Sequence, residues 1–361
     1  MRKPPTPKRA GRVRLPRRGA AWSIIGSVAL VTGATVAAAS GFSAQLAQDF
    51  DTNSETIETG IDHSVEAFED GEMNILVLGS DAREDEAAEE QRSDTMMLVH
   101  IPESRDEMFV MSIMRDLWVE IPEVGMSKVN AAQSHGGYPK TIETVEGLTG
   151  ADIDHMVIVD FDGFSELTTA LGGVEIDNDM AFSAGQVHPS YYPEGNIRLE
   201  GTDALRFVRE RKAFTDGDYQ RVKNQQKFLT GLASQVLGSE TLTDPSKISG
   251  MVSSFSPYLT VDESLDAETL VGYGMSMSEL RPSNITSFTI PNAGTGTTAG
   301  GASVVWPDEE ALVDIRSAMD EGTMADYVQE LEERAENEEL EGATDESGEQ
   351  VTAEPGEEVS Q

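Results

Sequence analysis

Met73-Asn74-Ile75-Leu76-Val77-Leu78-Gly79-Ser80-Asp81-Ala82-Arg83 is the stretch that decides the fold of this 361-residue chain. Its first six residues are a short apolar run closed by Gly79-Ser80, the pattern of a buried strand rather than of a helix. Three more runs of this kind follow, at Thr95–Ile101, Met108–Ile113 and Met156–Phe161. Helical patterns lie between and after them. Pro139–Leu148 carries proline in its first turn, Gly163–Leu171 is closed by Gly172-Gly173, and Asp218–Leu237 is closed by Gly238. Ile285–Ile290 reads as a late strand. The alternation predicts an α/β fold with a central mixed sheet and helices packed on both sides. Residues 71–240 form the expected core and 241–320 its continuation. Residues 321–361 form an acidic tail, expected to be disordered because ten acids and no base follow Arg334.

Ahead of this domain, Gly19 to Gln48 holds no charged residue, and Trp22–Val36 is rich in Ile, Val, Leu and Ala. The run is long enough to cross a hydrocarbon core of about 30 Å and exceeds the apolar region of a cleaved signal peptide, the competing reading. We therefore read 19–45 as one transmembrane helix. Eight of the 26 basic residues fall in the first 18 positions, with no acid among them. The positive-inside rule leaves this basic tail, 1–18, in the cytoplasm and the remainder outside. Residues 46–70, polar and weakly patterned, read as a linker.

Composition excludes several classes of function. The chain has no cysteine, which rules out disulfides, thiol nucleophiles and thiolate metal sites. Beyond the basic tail, 18 basic residues face 65 acids, a balance that phosphate backbones would repel, so no nucleic-acid partner is expected. There is no Gly-x-Ser-x-Gly elbow and no P-loop. The five histidines show no metal-ligand spacing and read as ordinary surface or core residues.

Charged residues gather where the apolar runs end. Asp81 and Arg83 follow the first, Arg92 and Asp94 precede the second, and Arg115 and Asp116 follow the third. In extended backbone, residues two apart project to one side, so each of the first two pairs aims both charges into one cleft. Arg209 and Arg211 repeat the spacing. Asp218 and Arg221, three apart at a helix start, share a face at the end that favours anions. Any single pair could be an ordinary surface ion pair. As a set they hold six of the 18 basic residues, all arginine, whose planar fork suits phosphate better than lysine does. Carboxylates among them suit a hard cation such as Mg²⁺. The chemistry implied is pyrophosphate handling.

Eight motifs occur in a fixed order: Gly79-Ser80-Asp81-Ala82-Arg83, Arg92-Ser93-Asp94-Thr95-Met96, Ser112-Ile113-Met114-Arg115-Asp116, Lys128-Val129-Asn130, Phe161-Asp162-Gly163-Phe164, Gly172-Gly173-Val174, Leu205-Arg206-Phe207-Val208-Arg209-Glu210-Arg211 and Asp218-Tyr219-Gln220-Arg221. Over roughly residues 71–240 the chain resembles the LytR-CpsA-Psr family. The resemblance implies an extracytoplasmic phosphotransferase that moves a glycopolymer from a polyprenyl-pyrophosphate carrier onto peptidoglycan and releases polyprenyl phosphate. By motif matching, Asp81 and Asp94 would hold Mg²⁺, with Mn²⁺ as a substitute. Arg83, Arg92, Arg115, Arg209, Arg211, Gln220 and Arg221 would bind the pyrophosphate, with Arg115, Arg209 and Arg211 acting on the reacting phosphate and Asp218 positioning the acceptor hydroxyl. Met156–Phe161, Phe164, Leu167 and the helix after Asp218 are candidates to line a channel for the polyprenyl tail, although apolar periodicity serves packing first. Two other readings stay open: a hydrolase using the same site with water, and a membrane-anchored regulator without catalysis.

Overall fold

The computed structural model describes residues 43–61, 71–80, 93–185, 189–215, 218–236, 245–277 and 279–334. Seven strands form one mixed sheet. In chain order they are β1 (Glu55–Ile57), β2 (Met73–Ser80), β3 (Ser93–Ile101), β4 (Met108–Ile113), β7 (His155–Asp160), β12 (Leu259–Asp262) and β13 (Ile285–Thr289), arranged β1-β12-β7-β2-β3-β4-β13. β2 runs parallel to β7 and antiparallel to β3, and β4 runs antiparallel to β3 and parallel to β13. The C-terminal ends of β2, β4, β7 and β13 therefore lie along one edge, together with the N-terminal end of β3.

The central strands are apolar on both sides because they separate two cores. Ile75, Val77, Met97 and Val99 face one; Leu76, Leu78, Met96 and Leu98 face the other. This two-residue alternation with no polar face is what a sheet covered on both sides requires. Over the first face lie α1 (Ser43–Asn53), α3 (Phe161–Ala170), α4 (Gly201–Arg209), α5 (Asp218–Val236), α6 (Pro245–Phe255) and α7 (Ala267–Ser276). The antiparallel pair of β8 (Val174–Asn178) and β11 (Gly195–Leu199) and the paired strands β9 (Phe182–Ala184) and β10 (Ser190–Tyr192) complete that layer. Over the second face lie α2 (Ala132–Thr149), α8 (Glu309–Asp320) and a last helix, α9, at 324–334. Two hairpins join that side: β5 (Trp118–Ile121) with β6 (Gly125–Lys128), and β14 (Asn292–Thr297) with β15 (Ser303–Pro307).

Element boundaries follow from local chemistry. α2 contains Pro139, but Gly136 and Gly137 leave helical geometry just before it, so the proline opens a second helical segment. Gly172 and Gly173, at φ 73° and 90°, turn the chain from α3 into β8.

Two boundary expectations require correction. Residues 46–57 belong to the domain: Phe50 is buried in the first core, β1 pairs with β12, and Asp51 accepts the Ala267 amide at 2.9 Å, so α1 and β1 dock through the pattern read as linker. The domain also continues past 320, because Met324, Tyr327, Val328 and Leu331 of α9 are buried in the second core. The high acid content of that stretch hid an apolar face at helical spacing. Among the described residues no helix is long and apolar enough to cross a membrane. The expected transmembrane segment lies outside the described residues apart from its last three, which begin α1; the region after 334 lies outside them as well.

Candidate functional site

The edge where β2, β4, β7 and β13 end collects the groups singled out in the sequence. Arg115 lies two residues past the end of β4, with Asp116 beside it. Asp94 is the second residue of β3, on the strand next to β2. Asp81, Arg83 and Arg92 lie outside the described residues, in the connection between β2 and β3. Asp160 ends β7 in register with Ser80 of β2, so carboxylate-bearing positions occur on both strands that flank the end of β2. Asp160 was not among the sequence candidates; its placement one residue before the Phe161-Asp162-Gly163-Phe164 motif was the available signal. Among the described residues no three carboxylates or imidazoles gather as a metal cage. The positions of Asp94 and Asp160 offer oxygen donors only, which suits a hard cation.

Arg115 is constrained by its neighbours. Its Nε lies 3.8 Å from an Asp116 oxygen, and the Lys128 ammonium donates to the other oxygen at 2.9 Å. The backbone is tied as well: Asn130 N–H donates to the Arg115 carbonyl at 3.3 Å, Val129 N–H to the Leu117 carbonyl at 2.8 Å, and Val305 N–H to the Asp116 carbonyl at 2.9 Å. The Lys128-Val129-Asn130 motif thus braces the segment that carries Arg115.

The second contributor is α5. Asp218 begins it, and Gln220 and Arg221 are buried within its first turns, at 5% and 6% exposure. Asn224, Gln225 and Gln226 continue this buried polar run. Each seats the helix on the sheet edge or on itself: Gln220 donates to Asn224 at 3.0 Å, Gln225 to Thr95 of β3 at 3.2 Å, and Gln226 to Thr289 of β13 at 3.0 Å. Tyr219 donates to Asn292 at 2.6 Å, and Asn292 reaches Met114 sulfur at 3.7 Å, one residue before Arg115. Buried polar groups need partners, and these bonds set the helix start against the ends of β3, β4 and β13.

The third contributor is α4. Arg209 is its last residue, so the two-residue spacing of Arg209 and Arg211 is not carried by an extended segment as the sequence pattern suggested. The chain turns after Glu210, whose carboxylate accepts the amides of Arg211, Lys212 and Ala213 at 3.1, 2.7 and 3.1 Å, and Arg211 is exposed. Arg209 stands at a narrow crevice of about 20 Å³, partly open to solvent, whose other walls are mainly Val77, Leu78, Val159, Phe164, Leu205 and Val208. Gly79, Thr95 and Gln225 share the rim. Of the channel candidates, Val159 and Phe164 line this pocket. Met156 and Ile158 face the second core instead, and Leu167 is packed in the first. Gln225, four residues past Arg221 and so on the same helix face, is a rim residue the motif reading missed.

An apolar slot with a cationic, amide-bearing rim, opening where arginines and carboxylates collect, defines an α/β domain suited to a ligand that is anionic at one end and apolar at the other. The LytR_cpsA_psr family model matches residues 36–321. The cell wall biosynthesis protein LcpA of Corynebacterium glutamicum is 29% identical over 307 residues, covering 70% of this chain and 58% of that protein. The polyisoprenyl-teichoic acid–peptidoglycan teichoic acid transferase TagU of Enterococcus faecalis is 27% identical over 277 residues, covering 76% and 87% respectively. The crystal structure of TagV from B. subtilis superposes with a TM-score of 0.60 at 25% identity, covering 71% of this chain and 98% of that one. The chain belongs to the LytR_cpsA_psr family.

Proposed function

We propose that this protein is a phosphotransferase that moves a glycopolymer from a polyprenyl-pyrophosphate carrier onto peptidoglycan, working on the outer side of the membrane from an N-terminal anchor at 19–45. The observation that carries this reading is the apolar pocket whose rim bears Arg209 and Gln225, at the sheet edge shared by Arg115 and Asp94. A polyprenyl tail needs an apolar slot, and its pyrophosphate needs cations at the mouth. A relative carrying this activity in its name covers three quarters of the chain, which agrees with the reading.

In this mechanism the acceptor hydroxyl attacks the phosphorus attached to the glycan. The bond from that phosphorus to the bridging oxygen breaks, and polyprenyl phosphate leaves with the electron pair. Arg115, Arg209, Arg211 and Arg221, with Arg83 and Arg92, neutralise the pyrophosphate and the charge that grows on the leaving oxygen. Gln220 and Gln225 help to orient it. Asp218 at the start of α5 positions the hydroxyl and receives its proton. Asp81 and Asp94, with Asp160 nearby, would hold Mg²⁺ or Mn²⁺, which would supply further charge neutralisation at the phosphates.

The test incubates the full-length protein in detergent with a polyprenyl-pyrophosphate-linked saccharide, Mg²⁺ and nascent peptidoglycan, followed by mass spectrometry. A conjugate that disappears in Arg115→Ala is the expected result. Release of polyprenyl phosphate without conjugate would replace the transferase by a hydrolase, and no turnover of any saccharide would leave a non-catalytic regulator.

A further inference from the structure

Trp118 and Trp306 come from separate hairpins and meet edge to face, with ring centroids 6.3 Å apart. Their strand neighbours Leu117, Val119 and Val305 point inward into the second core, so the two indoles point the other way. Trp306 retains 36% of its surface in solvent and Trp118 is half-buried. Glycine makes room for Trp306 from beneath: a Cβ at Gly296 would fall 2.3 Å from its Nε1, so a larger residue there would push the indole away. Charged groups adjoin the pair. Trp118 is directly opposite Lys128 in the β5–β6 hairpin and two residues from Asp116, the two residues that brace Arg115.

We propose that Trp118 and Trp306, with Asp116 and Lys128 at their side, form a saccharide subsite that receives a sugar ring of the acceptor glycan strand. The inference rests on the transferase reading above. An aromatic surface offers the apolar face of a pyranose a stacking partner, while a carboxylate and an ammonium at its edge serve hydroxyl and amide groups. The choice of acceptor over donor follows from the sheet. The carrier pocket lies on the first core's side, lined by Val77, Val159, Phe164 and Val208, whereas both tryptophan hairpins pack on the second. In-line displacement at phosphorus brings the nucleophile in opposite the leaving group. With polyprenyl phosphate departing toward the first side, the acceptor enters from the second, past the tryptophans.

The experiment uses the full-length chain with Trp22→Phe, so that its emission comes from Trp118 and Trp306 alone among the three tryptophans. Soluble peptidoglycan strands are titrated without donor, and lipid-free teichoic acid is titrated in parallel. Strands are expected to give a saturable emission change that is lost in Trp306→Ala and kept within about threefold in affinity in Trp306→Phe. In the transfer assay, Trp306→Ala should raise the acceptor KM about tenfold, with kcat and the donor KM unchanged. Unfolding temperatures are compared so that a misfolded variant is recognised, in which case the phenylalanine variant and the parent titration decide. Strand binding that is indifferent to Trp306→Ala, or a saturable response to teichoic acid in place of strands, overturns the subsite. Saturable, Trp306-dependent strand binding with no conjugate formed supports the subsite while the transferase reading fails. Normal transfer with no effect of Trp306→Ala does the reverse.

Discussion

Arg115 lies just past β4 at the sheet edge with Asp116 on one side, and Asp116 is itself held by Lys128, so the guanidinium has little freedom to search for its anion. Preorganised charge of this kind is worth most in the transition state. Arg115→Ala should therefore lower kcat about 10²- to 10³-fold while leaving the unfolding temperature near that of the parent, as checked by transfer kinetics beside a thermal melt. Lys128→Met removes a partly exposed ion pair and should cost less than about 1 kcal/mol in urea unfolding. The same change should still reduce kcat/KM several-fold, because Asp116 then loses the ammonium that shares its charge and competes more strongly for Arg115. At the opposite end of the sheet, histidines serve stability. His100 is buried beside Asn74, with Nδ1 2.8 Å from Oδ1, and burial pushes its pKa down to about 4. Between pH 6.5 and about 4 the unfolded chain takes up a proton that the folded chain refuses. Stability is thus complete above that window and falls by about 3 kcal/mol on acidification through it. His100→Gln should flatten this part of a urea-midpoint-against-pH curve. Asp262 acts lower on the scale. Burial alone would raise its pKa, but bonds from His155 at 3.1 Å, Ser264 at 2.6 Å and the Met156 amide at 3.0 Å bring it below its ordinary value. Its contribution is present above about pH 4 and is lost as the pH falls through that depressed value.

At the scale of elements, α5 ties the site together, and one glycine governs how closely it approaches. An added Cβ at Gly231 would lie 2.1 Å from the Glu175 carbonyl of β8 and under 3 Å from Val174 and Ile176. Gly231→Ala should destabilise the fold by roughly 1–3 kcal/mol in urea unfolding. It should also weaken donor binding, because the displaced helix carries Gln220, Arg221 and Gln225. Much of this architecture was legible in the sequence. The runs beginning at Met73, Thr95 and Met108 and the helix from Asp218 have strong local signatures, since a strand apolar on both faces and a glycine-closed helix need no tertiary information. Arg115 was legible because it closely follows such a run. Gln225 was not, because its meaning depends on Thr95, which is distant in sequence and is met only when α5 crosses the sheet. The extended geometry expected between Arg209 and Arg211 was not met for the same kind of reason: a spacing of two says nothing until the backbone is known, and here Arg209 ends a helix. Trp118 and Trp306 lie far apart in the chain and become a pair only through the Leu117–Val305 bridge.

For the molecule as a whole, the sheet separates two chemistries: an apolar slot under the helices on one side, and hairpins presenting tryptophans on the other, with the charged edge between them. Both ends of the domain are stitched in, by α1 and β1 at the start and α9 at the finish. A chain ended at Asp320 would expose the second core where Met324, Tyr327, Val328 and Leu331 now pack, and should lose on the order of 4 kcal/mol in thermal or urea unfolding. The proposed reaction turns on the fate of a pyrophosphate, and phosphorus NMR reads that directly. With the full-length protein, Mg²⁺, a polyprenyl-pyrophosphate-linked saccharide and soluble peptidoglycan strands, the two coupled pyrophosphate signals should be replaced by one phosphodiester and one phosphomonoester in equal amounts. Two phosphomonoesters and no phosphodiester, with acceptor present in excess, would contradict it.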